Sequence, residues 1–194
     1  MSARSDLARE WNGLTIPAPG EYELDPAHTR VGFIARHLMV AKVRGAFDEV
    51  TGVIQIADEP LQSSVTATIH AASITTAQSD RDNHLRSADF LDCEKHPTIE
   101  YRSTGVKAVG DNEFVVAGEL TIKQASRPVD MRVVFEGLSR DPWGKDVVGF
   151  SATAEIDREE FGLTWNVPLE GGGVLVGRQV KIEIEGEAAV RQPG

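Results

Sequence analysis

The sequence predicts an all-β fold, an antiparallel barrel or sandwich of about eight strands with one short helical insert around residues 79–92. Three observations carry this. Apolar residues recur at every second position over most of the chain, the signature of strands with one wet face. Gly, Pro, Asn and Asp cluster between those runs, as turns require. One stretch, residues 79–103, breaks the alternation and is polar and helix-like (SDRDNHLRSADFLDCEKHPTIEYRS).

Residues 1–20 stand apart as an N-terminal extension. Residues 5–11 suit a short helix, and Pro17, Pro19 and Gly20 turn the chain into the first strand, leaving a tail packed on or trailing from the main domain. The domain then runs over residues 21–190, with 191–194 as a tail. Val65, Ala67, Ile69 and Ala71 oppose Ser64, Thr66, Thr68 and His70. Ile99, Tyr101 and Ser103 continue the series after the insert. Phe114, Val116, Gly118, Leu120 and Ile122 form one phase of the next strand. Val129, Met131, Val133 and Phe135 follow, then Phe150, Ala152, Ala154 and Ile156. The alternation is cleanest from Val180 to Glu185, where Val180, Ile182 and Ile184 oppose Lys181, Glu183 and Glu185. A parallel sheet would instead show continuous apolar runs separated by helices.

Many inward members are small: Ala67, Ala71, Ser73, Gly118, Ala152, Ala154, Gly186 and Ala188. An eight-stranded barrel is just wide enough to be filled by side chains or to hold one slender ligand. Small residues and 6% aromatics fit an under-filled interior. They equally fit barrel corners and tapered ends.

Bulk properties narrow the function. With 41% hydrophobic and 26% charged residues the chain has an ordinary globular balance. A net charge of −10 and the lack of a basic run argue against nucleic acid, which needs clustered Lys and Arg, and against electrostatic docking on an anionic membrane. One cysteine forms no internal disulfide, no stretch reads as a membrane span, and the polar N-terminus lacks a signal-peptide core. A cytoplasmic location is therefore expected.

The insert holds Arg81, Asp82, His84, Arg86, Asp89, Asp92, Cys93 and His96, so acid–base catalysis is considered first. Asp80 and His84, like Asp82 and Arg86, fall four apart on a helix face, the spacing of ordinary ion pairs, and Ser79 or Asp80 suits an N-cap. No catalytic residue is assigned. Acidic neighbours of Cys93 disfavour its thiolate. The five histidines show no HxxxH or HxH spacing, so no metal site is assigned. His37 shares a strand face with Val31, Phe33 and Ala35; it suits a hydrogen-bonded core position or a contact to a polar ligand head.

Several motifs in order resemble one family. Tyr22-x-Leu24-Asp25-x-x-His28 is followed by Val31-x-Phe33-x-x-x-His37 and Val43-x-Gly45-x-Phe47. Arg81-Asp82-x-His84-Leu85-x-Ser87-x-Asp89-Phe90-Leu91-Asp92 leads into His96-Pro97-x-Ile99-x-Tyr101-x-Ser103. Gly118-x-Leu120-Thr121-Ile122, Pro128-Val129, Arg158-x-x-Phe161-Gly162 and Val176-Gly177 complete the pattern. Over about residues 21–190 the chain resembles the YceI-like family of polyisoprenoid-binding barrels. Thr29 stands where Ser commonly follows the histidine, and many relatives carry a signal peptide.

The resemblance implies a single extended, lipocalin-like antiparallel barrel with a long apolar cavity. It also implies noncatalytic binding of an isoprenoid or other long-chain amphiphilic lipid, with no catalytic cofactor, and a homodimer. Candidate wall residues are then Phe33, Phe47, Ile69, Tyr101, Phe114, Met131, Phe135, Phe150 and Ile182. Phe161 and Trp165 are candidates for a mouth, with Arg81, His84 or Leu85 meeting ligand there if any of the insert does. Arg81, His37 and Arg158 are head-group candidates, or else hold the barrel together through carboxylate pairs. Lipid storage or transport is the expected function. The alternatives are an enzyme acting in the cavity through His37 or His84, and a filled-barrel interaction scaffold.

Overall fold

In a computed structural model, which describes residues 8–191, the extension is a strand pair, β1 (Ala8–Trp11) and β2 (Leu14–Pro17). Of the helix expected over 5–11, residues 5–7 lie outside the described residues. The rest is β1, whose backbone pairs antiparallel with β2 around Gly13 at φ 80°. A seven-residue helix has little stability alone; here a left-handed Asn12-Gly13 turn favours the hairpin.

The domain comprises β3 (Gly20–Leu24), β4 (Arg30–His37), β5 (Ala41–Phe47), β6 (Val50–Ile56), β7 (Ser64–His70), β8 (Ile74–Thr75), the helix α1 (Ser79–Arg86), β9 (Thr98–Ala108), β10 (Glu113–Ile122), β11 (Ala125–Pro128), β12 (Met131–Arg140), β13 (Asp146–Asp157) and β14 (Val176–Val190). β3 and β4 pair with successive parts of β14, Leu24 with Ala188 and Val31 with Ile184. They are one long strand interrupted at residues 25–29. There the Asp25 amide donates to the Glu187 carbonyl at 2.8 Å, and the Thr29 hydroxyl donates to the same oxygen at 3.2 Å. β5 and β6 likewise form a second interrupted strand, β5 beside β4 and β6 beside β3.

Counted this way, eight antiparallel strands close an up-and-down barrel. The ring runs β3/β4, β5/β6, β7, β9, β10, β12, β13 and β14, and β14 returns to β3/β4. Closure leaves the ring without the free edge of an open sheet. β6 keeps β7 as its neighbour, whereas β5 turns away to β8, Ala46 beside Thr75. The insert sits in the splay this opens.

α1 ends at Arg86, short of residue 92. Asp92 adopts φ 48°, and the amides of Phe90 and Asp92 turn back to the Ser87 carbonyl. The N-cap is Gln78, whose side chain accepts from the Arg81 amide at 2.5 Å, not Ser79 or Asp80. The expected helical ion pairs give way to tertiary bonds. His84 reaches Asp89 at 2.8 Å. Arg86 donates to the carbonyls of Ala72 and Ile74, both at 2.8 Å. Asp82 is buried and accepts from the amide and hydroxyl of Thr76 at 2.8 and 2.5 Å. Buried polar groups have to be met in this way.

Candidate ligand-binding cavity

The inward phases of the barrel strands enclose a cavity of about 400 Å³, within the range of roughly 300–1,000 Å³ usual for small-molecule sites. Its wall is almost wholly aliphatic and aromatic. Phe33, Phe47, Ile69, Tyr101, Phe114, Met131, Phe135, Phe150 and Ile182 all line it, as their strand phase predicts. Two of the small inward residues are explained by aromatic rings folded over them. A methyl group on Gly118 would fall 2.3 Å from the Tyr101 hydroxyl, and one on Gly186 would fall 2.6 Å from the Phe150 ring. Ala67 and Ala152 face the cavity directly. The interior is hollow.

Each end is covered differently. At the end formed by residues 57–63 and the β9–β10 turn, the β1–β2 hairpin lies across the mouth. Trp11, Ile16 and Pro17 contribute to the lining, and the Trp11 ring stacks on Phe114. Arg9 donates to the carbonyls of Ala57 and Asp58, each at 2.5 Å. The extension is thus a cap, a role its sequence alone did not signal.

The insert and residues 158–175 cover the opposite end. Leu85, Phe90 and Leu91 point into the cavity from the insert. Arg158 is 3% exposed and buried beside it. Its Nε donates to the Gly177 carbonyl at 2.8 Å, and Nη1 donates to the carbonyls of Leu163 and Trp165, the latter at 3.0 Å. Nη2 donates to Val176 at 3.3 Å. Burial pulls its basicity below the ordinary value, with Glu159 and Asp157 acting the other way. The carboxylates of Asp157 and Glu159 themselves contact Arg178. Arg158 therefore pins the segment to β14 through backbone carbonyls, whereas the sequence offered it as a head-group contact or as one half of a carboxylate pair.

Residues 22–188 match the YceI-like domain. The chain belongs to the YceI-like family. It is 36% identical over 173 residues to the UPF0312 protein SAB2563 of Staphylococcus aureus, covering 88% of this chain and 98% of that protein. The UPF0312 protein SERP2314 of Staphylococcus epidermidis is 36% identical over 172 residues with the same coverage. Among solved structures, Burkholderia cenocepacia BcnA superposes with a TM-score of 0.71 at 20% identity, over 84% of this chain and 98% of that one. A polyisoprenoid-binding domain from Saccharophagus degradans, implicated in plant cell wall breakdown, gives 0.66 at 13% identity, over 90% and 100%. At such identities these two likenesses speak for the fold.

Within the YceI-like barrel, several motif residues have structural roles. Arg81 lies outside the cavity lining, its Nε donating to the Thr76 hydroxyl at 2.7 Å and Nη2 to the Thr76 carbonyl. His84 is drawn into an aromatic cluster with Phe90 and Trp165, at centroid distances of 5.1 and 4.5 Å. Trp165 packs on this cluster behind the lining, and Phe161 is 2% exposed in the core. His37 ends β4 opposite Ala41 and Val176, half-buried and outside the lining. Burial, more than Asp92, pushes the Cys93 thiol up, while Arg86 opposes it.

Tertiary structure also gathers Asp25, His28 and Glu187, whose donor atoms lie within 4.8 Å of one another. These are residue types able to bind a divalent cation. His28 is exposed, bonds Asp25 at 2.9 Å and lies 3.8 Å from Glu187. The Asp25 hydrogen bond raises the His28 basicity.

Proposed function

We propose that the barrel binds a long-chain amphiphilic lipid, a polyisoprenoid, polyprenyl phosphate or isoprenoid quinone, in its interior for storage or transport. The carrying observation is a cavity with an almost wholly apolar wall, lined at one end by the β1–β2 hairpin and at the other by the insert. Burying each methylene contributes roughly 0.8 kcal/mol, offset by the cost of ordering the chain. Polar recognition is then confined to an end. Arg158 is the cationic side chain beside the lining, which favours placing an oxygen-rich head group near it.

Catalysis receives no such support. His37 and His84 stand outside the lining, and His84 is engaged by Asp89. A general base must reach its substrate proton. Binding without turnover is the reading the geometry favours; a homodimer, as the sequence resemblance implies, is proposed with it, and sedimentation velocity measures it.

Gentle purification, solvent extraction and mass spectrometry should recover a long-chain lipid, and stripped protein should take up a fluorescent polyprenyl phosphate analogue. Protein that carries no lipid and takes up neither this probe nor an isoprenoid quinone overturns the proposal.

A further inference from the structure

The hairpin joining β4 to β5 ends in Leu38, Met39 and Val40, all exposed, Val40 at 83%. Among the described residues no other run of three large apolar side chains is presented to solvent. Leu38 and Met39 adopt φ 53° and 61°, the left-handed region that side chains of this size disfavour. Two successive left-handed residues at a hairpin ordinarily select Asn-Gly. This turn is therefore built from residues poor for folding it. The Leu38 amide anchors it by donating to the Leu175 carbonyl at 2.9 Å, on a loop that also exposes Val167.

The surrounding charge is opposite to that of the whole chain, so net charge does not speak against an anionic membrane at this site. Residues 26–47 contain Arg30, Arg36, Lys42 and Arg44 and no Asp or Glu, in a protein of net charge −10. Arg36 and Lys42 are cross-strand partners immediately behind the tip. Neither has a carboxylate within ion-pair distance among the described residues. Arg44 is shared with Glu183 at 3.7 Å, and Glu170 lies on the neighbouring loop. The exposed Trp143 at the other barrel end has Asp141, Glu23 and Asp25 around it, alongside Lys145 and Arg191, so a comparable acid-free collar is missing there.

Apolar side chains projecting beyond a cationic collar match the layers of a bilayer surface, hydrocarbon beneath anionic head groups. We propose that the 38–40 tip and its Arg36–Lys42 collar dock this protein on an anionic lipid bilayer. The three apolar side chains enter the interface and the two cations meet lipid phosphates. The contact is independent of what the cavity holds.

Vesicle flotation tests it, using phosphatidylcholine vesicles with and without phosphatidylglycerol, and no isoprenoid in either. The wild-type chain should float with the anionic vesicles. The L38N/M39G/V40S variant should lose flotation while its thermal midpoint holds or rises, because the turn then has residues suited to it. The R36Q/K42Q variant should partition on the order of tenfold less on anionic vesicles and remain unchanged on phosphatidylcholine alone. Wild-type protein that stays with the unbound fraction overturns the proposal, as does undiminished binding by both variants. Conversion of a dimer to a monomer by L38N/M39G/V40S in sedimentation velocity also overturns it, making the tip a contact between two copies. Failure of lipid uptake by the cavity would leave every one of these readings intact.

Discussion

The indole of Trp11 stacks on the ring of Phe114 with centroids 6.1 Å apart and planes inclined by 28°. One residue belongs to the N-terminal hairpin and the other to a barrel strand, so the pair closes the mouth across which β1 and β2 lie. A residue from outside the repeating strand pattern thereby becomes part of the cavity wall.

Removing that closure should affect exchange more than affinity for the barrel itself. An aromatic pair contributes about 0.5–1.5 kcal/mol beyond its area. Trp11→Ala is therefore expected to speed release of a fluorescent polyprenyl probe by about tenfold, with a small change in thermal midpoint. Stopped-flow displacement measures this; identical release rates would show that lipid leaves elsewhere.

Filling the cavity should separate binding from folding. Ala152 is buried on the lining and cross-strand to Val133 and Ile184. Ala152→Phe places a ring in the space a lipid tail would occupy. Lipid uptake should fall severalfold while the thermal midpoint of the empty protein holds, because the ring enters a void and does not overpack a filled core. Undiminished uptake by the folded variant would move the site out of the barrel.

Arg158 should prove structural whatever its relation to ligand. Arg158→Met strips a donor from the carbonyls of Leu163, Trp165, Val176 and Gly177; Val176 keeps the Asn166 side-chain amide at 2.8 Å, so the loss falls on the other three. Leaving such groups unmet costs about 1–3 kcal/mol each in the worst case, and partial hydration reduces the sum. We expect a loss of about 3 kcal/mol and a fall of roughly 6–12 °C in Tm. Calorimetry tests it; a shift near zero would mean the 158–175 segment is held by packing alone.

Tyr101 gives a pH-dependent signature. Burial, with Asp130 adding to it, pushes its phenol up to about 12, and its hydroxyl lies within hydrogen-bond distance of the Val116 and Val129 carbonyls. The neutral phenol is favoured in the folded state. Its contribution to stability is therefore complete below the unfolded value near 10 and declines as pH rises from about 10 to about 12. Tyr101→Phe should cost about 1 kcal/mol at neutral pH and flatten the loss of stability across that window. Denaturant titrations at the two ends of the window decide it; an unchanged slope in the variant would assign the dependence elsewhere, Tyr22 being the other raised tyrosine.

The sequence by itself determined an antiparallel all-β domain, a barrel or a sandwich, with the resemblance pointing to the barrel, and it determined which side chains make up most of the wall. Two-residue alternation specifies which side chains share a face whatever the neighbouring strand is, so Phe33, Ile69, Phe114 and Ile182 were legible as inward before any pairing was known. Only the tertiary structure decided what happens at the two ends, because there the chain leaves the repeating pattern. Whether Trp11 trails or caps depends on Phe114, more than a hundred residues away. Whether His84 meets a ligand depends on Trp165 and Asp89, and whether Arg158 meets a carboxylate depends on where residues 163–177 fold. The apolar tip at Leu38, Met39 and Val40 is likewise written in the sequence, but its exposure and its collar follow from the cross-strand register of β4 and β5. Local periodicity fixes the faces of a barrel; long-range packing fixes its mouths.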